Sequence, residues 1–269
     1  MTIAFKYFPA GQAGFFRAPV LLSGATEAIL VDGGFTYADG HALVAAIQES
    51  GKKLSAVYVS QGDPDYYFSL KPIQTAFPDA RIIAAPGTVA AIQANVHKKL
   101  EIWGPKLQEN GPQTLSDVVI PTPSTEQTLS LDGETIEIIT PSELSNRHYL
   151  WVPSLAALFG GVLVFSGVHV WTADTPRPEQ REAWRQHLDA LALRDPKVVI
   201  PGHLASGAPT GVSAISYTRE YLLAFEQELA AAADSSALIA AMKRRYPSAD
   251  MGVALDIGAK VAKGELKWG

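Results

Sequence analysis

SQGDPDYYFSL, Ser60–Leu70, begins at the last residue of an apolar run, Ala56–Ser60, that is typical of a buried strand. Polar residues that directly follow such a strand lie where α/β folds carry their binding and catalytic groups. Two further stretches combine predicted strands with turn residues in the same way: RHYLWVPSLAALFGGVLVF, Arg147–Phe165, and VVIPGH, Val198–His203. The three stretches together predict an α/β protein whose chemistry lies at strand ends.

Strand-like and helix-like segments alternate along the chain. The predicted strands are Val20–Ser23, Ala28–Val31, Ala56–Ser60, Arg81–Ala85, Thr128–Leu131, Thr135–Ile139, Tyr149–Val152, Leu158–Phe165 and Val198–Ile200. The predicted helices are Gly40–Ser50, Phe68–Phe77, Thr88–Trp103, Pro178–Leu193 and an Ala-rich helical region from Val212 to Lys263 that breaks at Pro247. No G-x-G-x-x-G follows the first strand, so the pattern favours a two-sheet sandwich with outer helices over a dinucleotide-binding sheet.

Composition narrows the possible partners. The 269 residues carry 22 Lys and Arg against 27 Asp and Glu, a net charge of −5, and this balance argues against a nucleic-acid partner. The chain has no cysteine, which excludes disulfides, thiolate zinc sites and a cysteine nucleophile. We find no signal peptide and no apolar run of about 18 residues, so we expect a cytoplasmic protein with no membrane partner. The expected partner is a small molecule of unknown identity.

The three stretches, in this order and spacing, resemble the metallo-β-lactamase-fold superfamily over about Val20 to His203. The resemblance implies a four-layer αβ/βα sandwich with a metal site at the shared edge of its two sheets. It also implies that the helices beyond residue 211 are an extension. We therefore expect one domain over residues 1–269, with a core of about 1–211 and C-terminal helices over about 212–269.

The metal motif that the resemblance implies is largely replaced in this chain. The positions that correspond to the family's ligands are Gln61, Asp63, Asp65, Tyr66, Glu143, Val162 and His203. Only Asp65 and His203 keep the family's residue type. Val162 stands where the family has the carboxylate that bridges two metal ions, and valine cannot bind a metal. Because imidazole suits zinc and a primary amide does not, Gln61 is also a poor substitute, and the sequence predicts no standard dinuclear zinc centre.

Three alternatives remain for this altered site. Asp63, Asp65, Glu143 and His203 form an oxygen-rich set that would suit one harder ion such as Mn²⁺, Mg²⁺ or Ca²⁺. With such an ion the chain would be a hydrolase for a small ester, lactone or amide. A non-catalytic, metal-free protein that uses the old cleft for a ligand or a partner is the second alternative. Metal-free acid–base catalysis by Asp65 and His203 is the third.

Other residues are candidates for lining a pocket rather than for chemistry. We place Gln61, Tyr66, Tyr67, His148 and His169 in this group. His148 fits a core or strand position better than a pocket role. His169 would pair with Asp174 if its loop lines the cleft, and a plain loop position is the alternative. An aromatic-rich cleft favours an apolar or ring-bearing ligand.

Overall fold

The computed structural model describes residues 3–268, in which two main sheets and one short strand pair are found. The first sheet contains β1 (Ala4–Tyr7), β2 (Val20–Ser23), β3 (Glu27–Val31), β4 (Lys53–Val59), β5 (Arg81–Ala84) and β6 (Thr122–Pro123). The second sheet contains β7 (Thr128–Leu131), β8 (Glu134–Ile139), β9 (Tyr149–Val152), β10 (Ala157–Phe159) and β12 (Val198–Val199). The short pair consists of β11 (Phe165–Ser166) and β13 (His203–Leu204).

Helices connect the strands and extend the chain beyond the second sheet. They are α1 (Tyr37–Ser50), α2 (Leu70–Ala76), α3 (Pro86–Leu107), α4 (Pro178–Leu193), α5 (Val212–Ala231), α6 (Ser235–Arg245) and α7 (Gly252–Ala262). The start of α1 is set by a capping box in which Thr36 and Asp39 each accept a backbone N–H of the other. None of the helices in residues 3–268 combines the length and apolar character needed to span a bilayer.

Strand order places the carboxyl ends of several strands at one edge. The first sheet runs in the order β1 to β6. Strands β3 to β6 are parallel to one another, whereas β3 is antiparallel to β2. The second sheet has the order β12-β10-β9-β8-β7, with β10 and β12 parallel. Because parallel strands present their carboxyl ends together, the loops after β3 and β4 lie side by side.

Alternation along the strands builds the four layers. Ile29 and Val31 of β3 face a core shared with the second sheet, whereas Ala28 and Leu30 face the helices. On the far side of the second sheet, Trp184 of α4 lies in a helix-facing core that includes strand residues of β9 and β10. The expected helix–sheet–sheet–helix sandwich with C-terminal helices is confirmed.

Element boundaries differ from the predictions in three places. The predicted strand Leu158–Phe165 is wrong beyond Phe159, because Gly160 and Gly161 adopt φ values of 78° and 74° and turn the chain away from the sheet. Strands β1 and β6 were not predicted. The C-terminal helical region breaks twice, after α5 and after α6. The predicted domain limits include positions 1, 2 and 269, which lie outside the described residues.

Candidate functional site

The segment that precedes β2 is held against the turn that follows β12. Ala18 donates its amide hydrogen to the Gly202 carbonyl at 3.1 Å, and the Leu204 amide donates to the Phe16 carbonyl at 2.8 Å. Arg17 and His203 face each other in the antiparallel bridge between these hydrogen bonds. Backbone pairing therefore brings the Arg17 side chain to the edge where the loops after β3 and β4 meet.

The Arg17 guanidinium contacts two of the positions that correspond to metal ligands, Asp65 and Tyr66. Its side chain is 0% exposed, and its Nη2 donates to Asp32 Oδ2 at 3.0 Å. Its Nη1 donates to the Gly202 carbonyl, and its Nε lies 3.9 Å from Asp65 Oδ2. The guanidinium carbon is 3.6 Å from the centroid of the Tyr66 ring. A permanent cation thus contacts the carboxylates of this site.

Asp32 connects the ends of three strands. Its Oδ1 accepts the Ser60 amide at 2.7 Å and the Ser60 hydroxyl at 2.8 Å, and its Oδ2 faces the Gly161 amide at 3.4 Å. Burial raises the pKa of Asp32, and the charge of Arg17 and these hydrogen bonds oppose that rise. Arg17 and Asp32 form a fully buried ion pair whose remaining acceptor sites are satisfied by Ser60 and Gly161.

Asp65 and His203, the two positions that keep the family's residue type, are brought together. Their Oδ2 and Nε2 atoms are 3.6 Å apart. Burial raises the pKa of Asp65 to about 7, whereas burial and the Arg17 charge lower the pKa of His203 to about 3. The imidazole is therefore neutral at physiological pH. Their assignment as catalytic residues stays a prediction.

The hydrogen bonds of His203 identify its tautomer. Nδ1 lies 2.7 Å from the Phe15 carbonyl, which can only accept, so Nδ1 carries the proton. Nε2 then holds the lone pair and lies 3.2 Å from the Tyr66 hydroxyl, which can donate either to it or to the Gly161 carbonyl, also 3.2 Å away. The ring also stacks on Phe165, with centroids 5.1 Å apart. The lone pair that would bind a metal ion is consequently close to an internal hydrogen-bond donor.

The raised pKa of Asp65 gives a testable dependence of stability on pH. Its pKa is about 7 in the folded chain against 3.8 for an ordinary aspartate, so the stability that Asp65 contributes is lost as the pH rises toward and through 7. We expect Asp65→Asn to be more stable than the wild type at pH 8, with a smaller difference at pH 5. His203 is present in both proteins, and its own contribution changes with pH in the opposite direction, falling as the pH drops below 6.5.

Urea unfolding at both pH values measures this difference. Asp79→Asn, which removes a carboxylate at an exposed position, is the control. A stability difference for Asp65→Asn that does not grow between pH 5 and pH 8 would show that Asp65 is already ionised at pH 5.

The four predicted metal ligands are not assembled. The Asp63 carboxylate is 3.2 Å from Lys99 Nζ, and Glu143 is exposed, with its pKa lowered by a hydrogen bond from Ser142 and by the nearby charge of His187. Glu143 leaves the site because the loop before β9 turns twice, through the hydrogen bonds from Leu144 to Pro141 and from Arg147 to Leu144. Within residues 3–268 no group of three or more metal-binding acidic or histidine side chains occurs.

The five predicted pocket residues separate into two groups. Tyr66 and Gln61 line neighbouring cavities. Tyr67 is buried in the helix-facing core. His148 bonds Thr140 at 2.6 Å and His169 bonds the Tyr221 hydroxyl at 2.9 Å, and neither lines these cavities.

The pair between His169 and Asp174, one of two possibilities for this loop, does not form. Asp174 accepts from the buried Arg147 guanidinium at 2.6 Å, and Arg147 also stacks on Trp184 at 3.5 Å. Because Arg147 already supplies the cation that this buried carboxylate requires, His169 faces Tyr221 instead.

These contacts do not fit a resident metal ion. A metal at this edge would stand beside the Arg17 guanidinium, and like charges at short range in a buried site repel strongly. Two of the atoms that could bind a metal ion already have partners: His203 Nε2 faces the Tyr66 hydroxyl, and the Asp63 carboxylate faces Lys99. The donor set is therefore incomplete, and the local charge that metal ions would supply is already supplied by arginine.

A cleft opens above this cluster. Its walls are mostly apolar and aromatic, and its polar lining comes from Asp63, Asp65, Lys99 and His203. The apolar and aromatic lining residues include Phe15, Phe35, Tyr66, Trp103, Val162, Trp171, Met251, Val253, Ile257 and Trp268. Val253 and Trp268 are 38% and 37% exposed, so apolar surface continues to the mouth of the cleft. This composition is typical of a small-molecule site.

Sequence reasoning missed Arg17 and Lys99. Arg17 stands between Phe16 and the buried strand β2. A charged residue in such an apolar segment is rarely buried without a partner. Its position in the sequence therefore indicated a buried partner for Arg17. Lys99 lies on α3 among other polar residues and carries no comparable signal.

Comparison with known proteins is consistent with this geometry. The family model described as the metallo-beta-lactamase superfamily matches residues 14–203. Crystal structures with the same fold include DIM-1 metallo-beta-lactamase exposed to ceftazidime, with a TM-score of 0.55, 18% identity, and coverage of 82% of this chain and 91% of that chain. VMB-1 at pH 5.5 has a TM-score of 0.54 and 19% identity, with coverage of 86% of this chain and 93% of that chain. TMB-1 has a TM-score of 0.52 and 16% identity, with coverage of 82% of this chain and 92% of that chain. No curated protein sequence matches the chain.

Proposed function

Because this chain belongs to the metallo-beta-lactamase superfamily but holds an arginine among its metal-ligand positions, we propose that it binds a ring-bearing small molecule without a metal ion. The observation that carries this proposal is the buried Arg17 guanidinium, which contacts both Asp32 and Asp65. Arginine stays protonated at any physiological pH, so the site keeps its cation without recruiting one from solution.

The cleft above Arg17 supports ligand binding. Phe15 packs on Phe35 and Trp103, with ring centroids 4.9 Å and 5.3 Å away, and Trp171 packs on Trp268 at 4.8 Å. Aromatic walls bind flat rings through stacking and edge contacts and by removing apolar surface from water. Asp65 and Lys99 are polar groups at the wall that would orient the molecule.

The contacts in the site support metal-free ligand binding over hydrolysis by a single metal ion in an altered site. That alternative needs Asp63, Asp65, Glu143 and His203 around one ion. Glu143 is exposed beside His187, Asp63 faces Lys99, and Asp65 lies against Arg17. A metal ion would have to displace these partners and draw in a distant loop.

Titration with the neutral fluorescent compound N-phenyl-1-naphthylamine tests this function. We expect saturable binding to one site per chain that is unchanged by a chelator or by added Zn²⁺, and a melting temperature that chelation does not shift. Trp171→Ala should weaken binding because it removes one wall of the cleft. Leu193→Ala, which truncates a side chain that is 88% exposed on α4, is the matched control and should bind like the wild type.

Two results would reject the proposal. The first is stoichiometric, tight Zn²⁺ or Mn²⁺ binding that raises the melting temperature and is accompanied by hydrolysis of an ester, lactone or amide, because this would establish the altered-metal hydrolase instead. The second is failure of the folded wild-type protein to bind the probe.

A further inference from the structure

A second, larger cavity adjoins the aromatic cleft. Asp63, Lys99 and Trp268 line both cavities, so these three side chains stand between them. We call the aromatic cleft the inner compartment and the second cavity the outer compartment. The lining of the outer compartment includes Gln61, Asn95, Lys98, Asn146, Asp174 and Lys267.

The partition between the compartments depends on one flexible side chain. Lys99 Nζ is 3.2 Å from Asp63 Oδ1 and 4.6 Å from the centroid of the Trp268 ring. The Lys99 and Asp63 side chains are 15% and 25% exposed, so solvent reaches this ion pair and weakens it. A ligand that spans both compartments would therefore have only a weak contact to displace.

The outer compartment carries an excess of positive charge. Both of its carboxylates are already paired, Asp63 with Lys99 and Asp174 with Arg147. Lys98 and Lys267 also line it, and neither has an ion-pair partner among residues 3–268. Two ammonium groups without carboxylate partners attract an anion, whereas the inner compartment offers mainly rings.

We propose that the natural ligand is an amphipathic anion whose ring system occupies the inner compartment and whose anionic group lies in the outer compartment beside Lys98 and Lys267. This inference rests on the proposed function and specifies its ligand. A carboxylate, sulfonate or phosphate on an aromatic body has the required chemistry.

Two probes with the same rings separate the contributions of the compartments. 8-Anilinonaphthalene-1-sulfonate differs from N-phenyl-1-naphthylamine by one sulfonate. At low salt we expect the sulfonated probe to bind about tenfold more tightly, the scale for two partly exposed ion pairs. The double variant Lys98→Ala/Lys267→Ala should remove this difference and leave binding of the neutral probe unchanged. Salt should weaken only the sulfonated probe.

The matched control removes two exposed lysines elsewhere. Lys53→Ala/Lys197→Ala makes the same change in net charge, on β4 and beside β12, and should keep the tenfold difference. Equal affinity of the wild type for both probes, or a difference that persists in Lys98→Ala/Lys267→Ala, would overturn the anionic subsite while the cleft remains a binding site. Failure of both probes to bind would overturn the proposed function and this inference together.

Discussion

Arg17→Met is expected to lower the free energy of unfolding by about 3–5 kcal/mol, the scale for removing one partner of a buried ion pair. Methionine keeps the unbranched apolar stem of the side chain and removes the guanidinium with its charge. Asp32 would then be buried without its cation, since its remaining contacts to Ser60 and Gly161 are hydrogen bonds from neutral groups. The Gly202 carbonyl would lose its side-chain donor as well.

Urea unfolding at pH 7 measures the loss, and Arg81→Met is the matched control. Arg81 also pairs with a carboxylate, Glu126, at 3.0 Å, but the two side chains are 56% and 43% exposed. Removing such a pair should cost less than about 1 kcal/mol. Because the large cost comes from an uncompensated carboxylate, adding Asp32→Asn to Arg17→Met should recover part of the stability. Similar small losses for Arg17→Met and Arg81→Met would contradict the view that arginine is the resident cation.

Gly202→Ala is expected to destabilise the chain by about 3 kcal/mol or more, at the upper end of the costs of overpacking. A Cβ at position 202 would lie 1.8 Å from the Gly161 carbonyl oxygen and 3.1 Å from Arg17 Nη1. The backbone has little freedom to move apart, because Gly202 bonds both Ala18 and Val164. The clash therefore falls on the turn that positions His203 and on the segment that carries Arg17.

Gly87→Ala provides the comparison for this substitution. Gly87 lies in the first turn of α3, and no atom comes within 4 Å of the point that an alanine Cβ would occupy, so the change should be neutral or slightly stabilising. Chemical denaturation of both variants gives the two free energies. If Gly202→Ala yields no folded protein while Gly87→Ala does, the close approach of the two turns is required for folding. A Gly202→Ala protein as stable as the wild type would mean that the turns separate readily.

Sequence patterns predicted most of the fold because strands and helices follow from short-range periodicity. The alternation of β3, the apolar run of β4 and the helical spacing of α4 each depend on residues a few positions apart. Predictions failed where backbone conformation decided the outcome. The run Leu158–Phe165 is apolar throughout apart from its two glycines, and those glycines, with positive φ, end the strand at Phe159.

The candidate site was predicted in part. Asp65 and His203 do meet, since both lie in turns at strand ends that the fold brings to one edge. Glu143 was assigned from its position in the sequence, but spacing along the chain does not specify the direction in which a side chain points from a loop of consecutive turns. His148 was identified by residue type, and its contact with Thr140 depends on the neighbouring strand β8.

The sequence by itself determined the class of fold, the loss of most metal ligands and the net charge that argues against nucleic acid. Only the tertiary structure placed a buried arginine beside the positions that correspond to metal ligands. Arg17 is 185 residues from Gly202 and 48 from Asp65 in the sequence, since 65 − 17 = 48, so no local pattern relates them. Their contact arises because the turn at Gly202 packs against Gly161 and the backbone of Arg17. A buried cation is defined by the partners that surround it, and those partners come together only when the chain has folded.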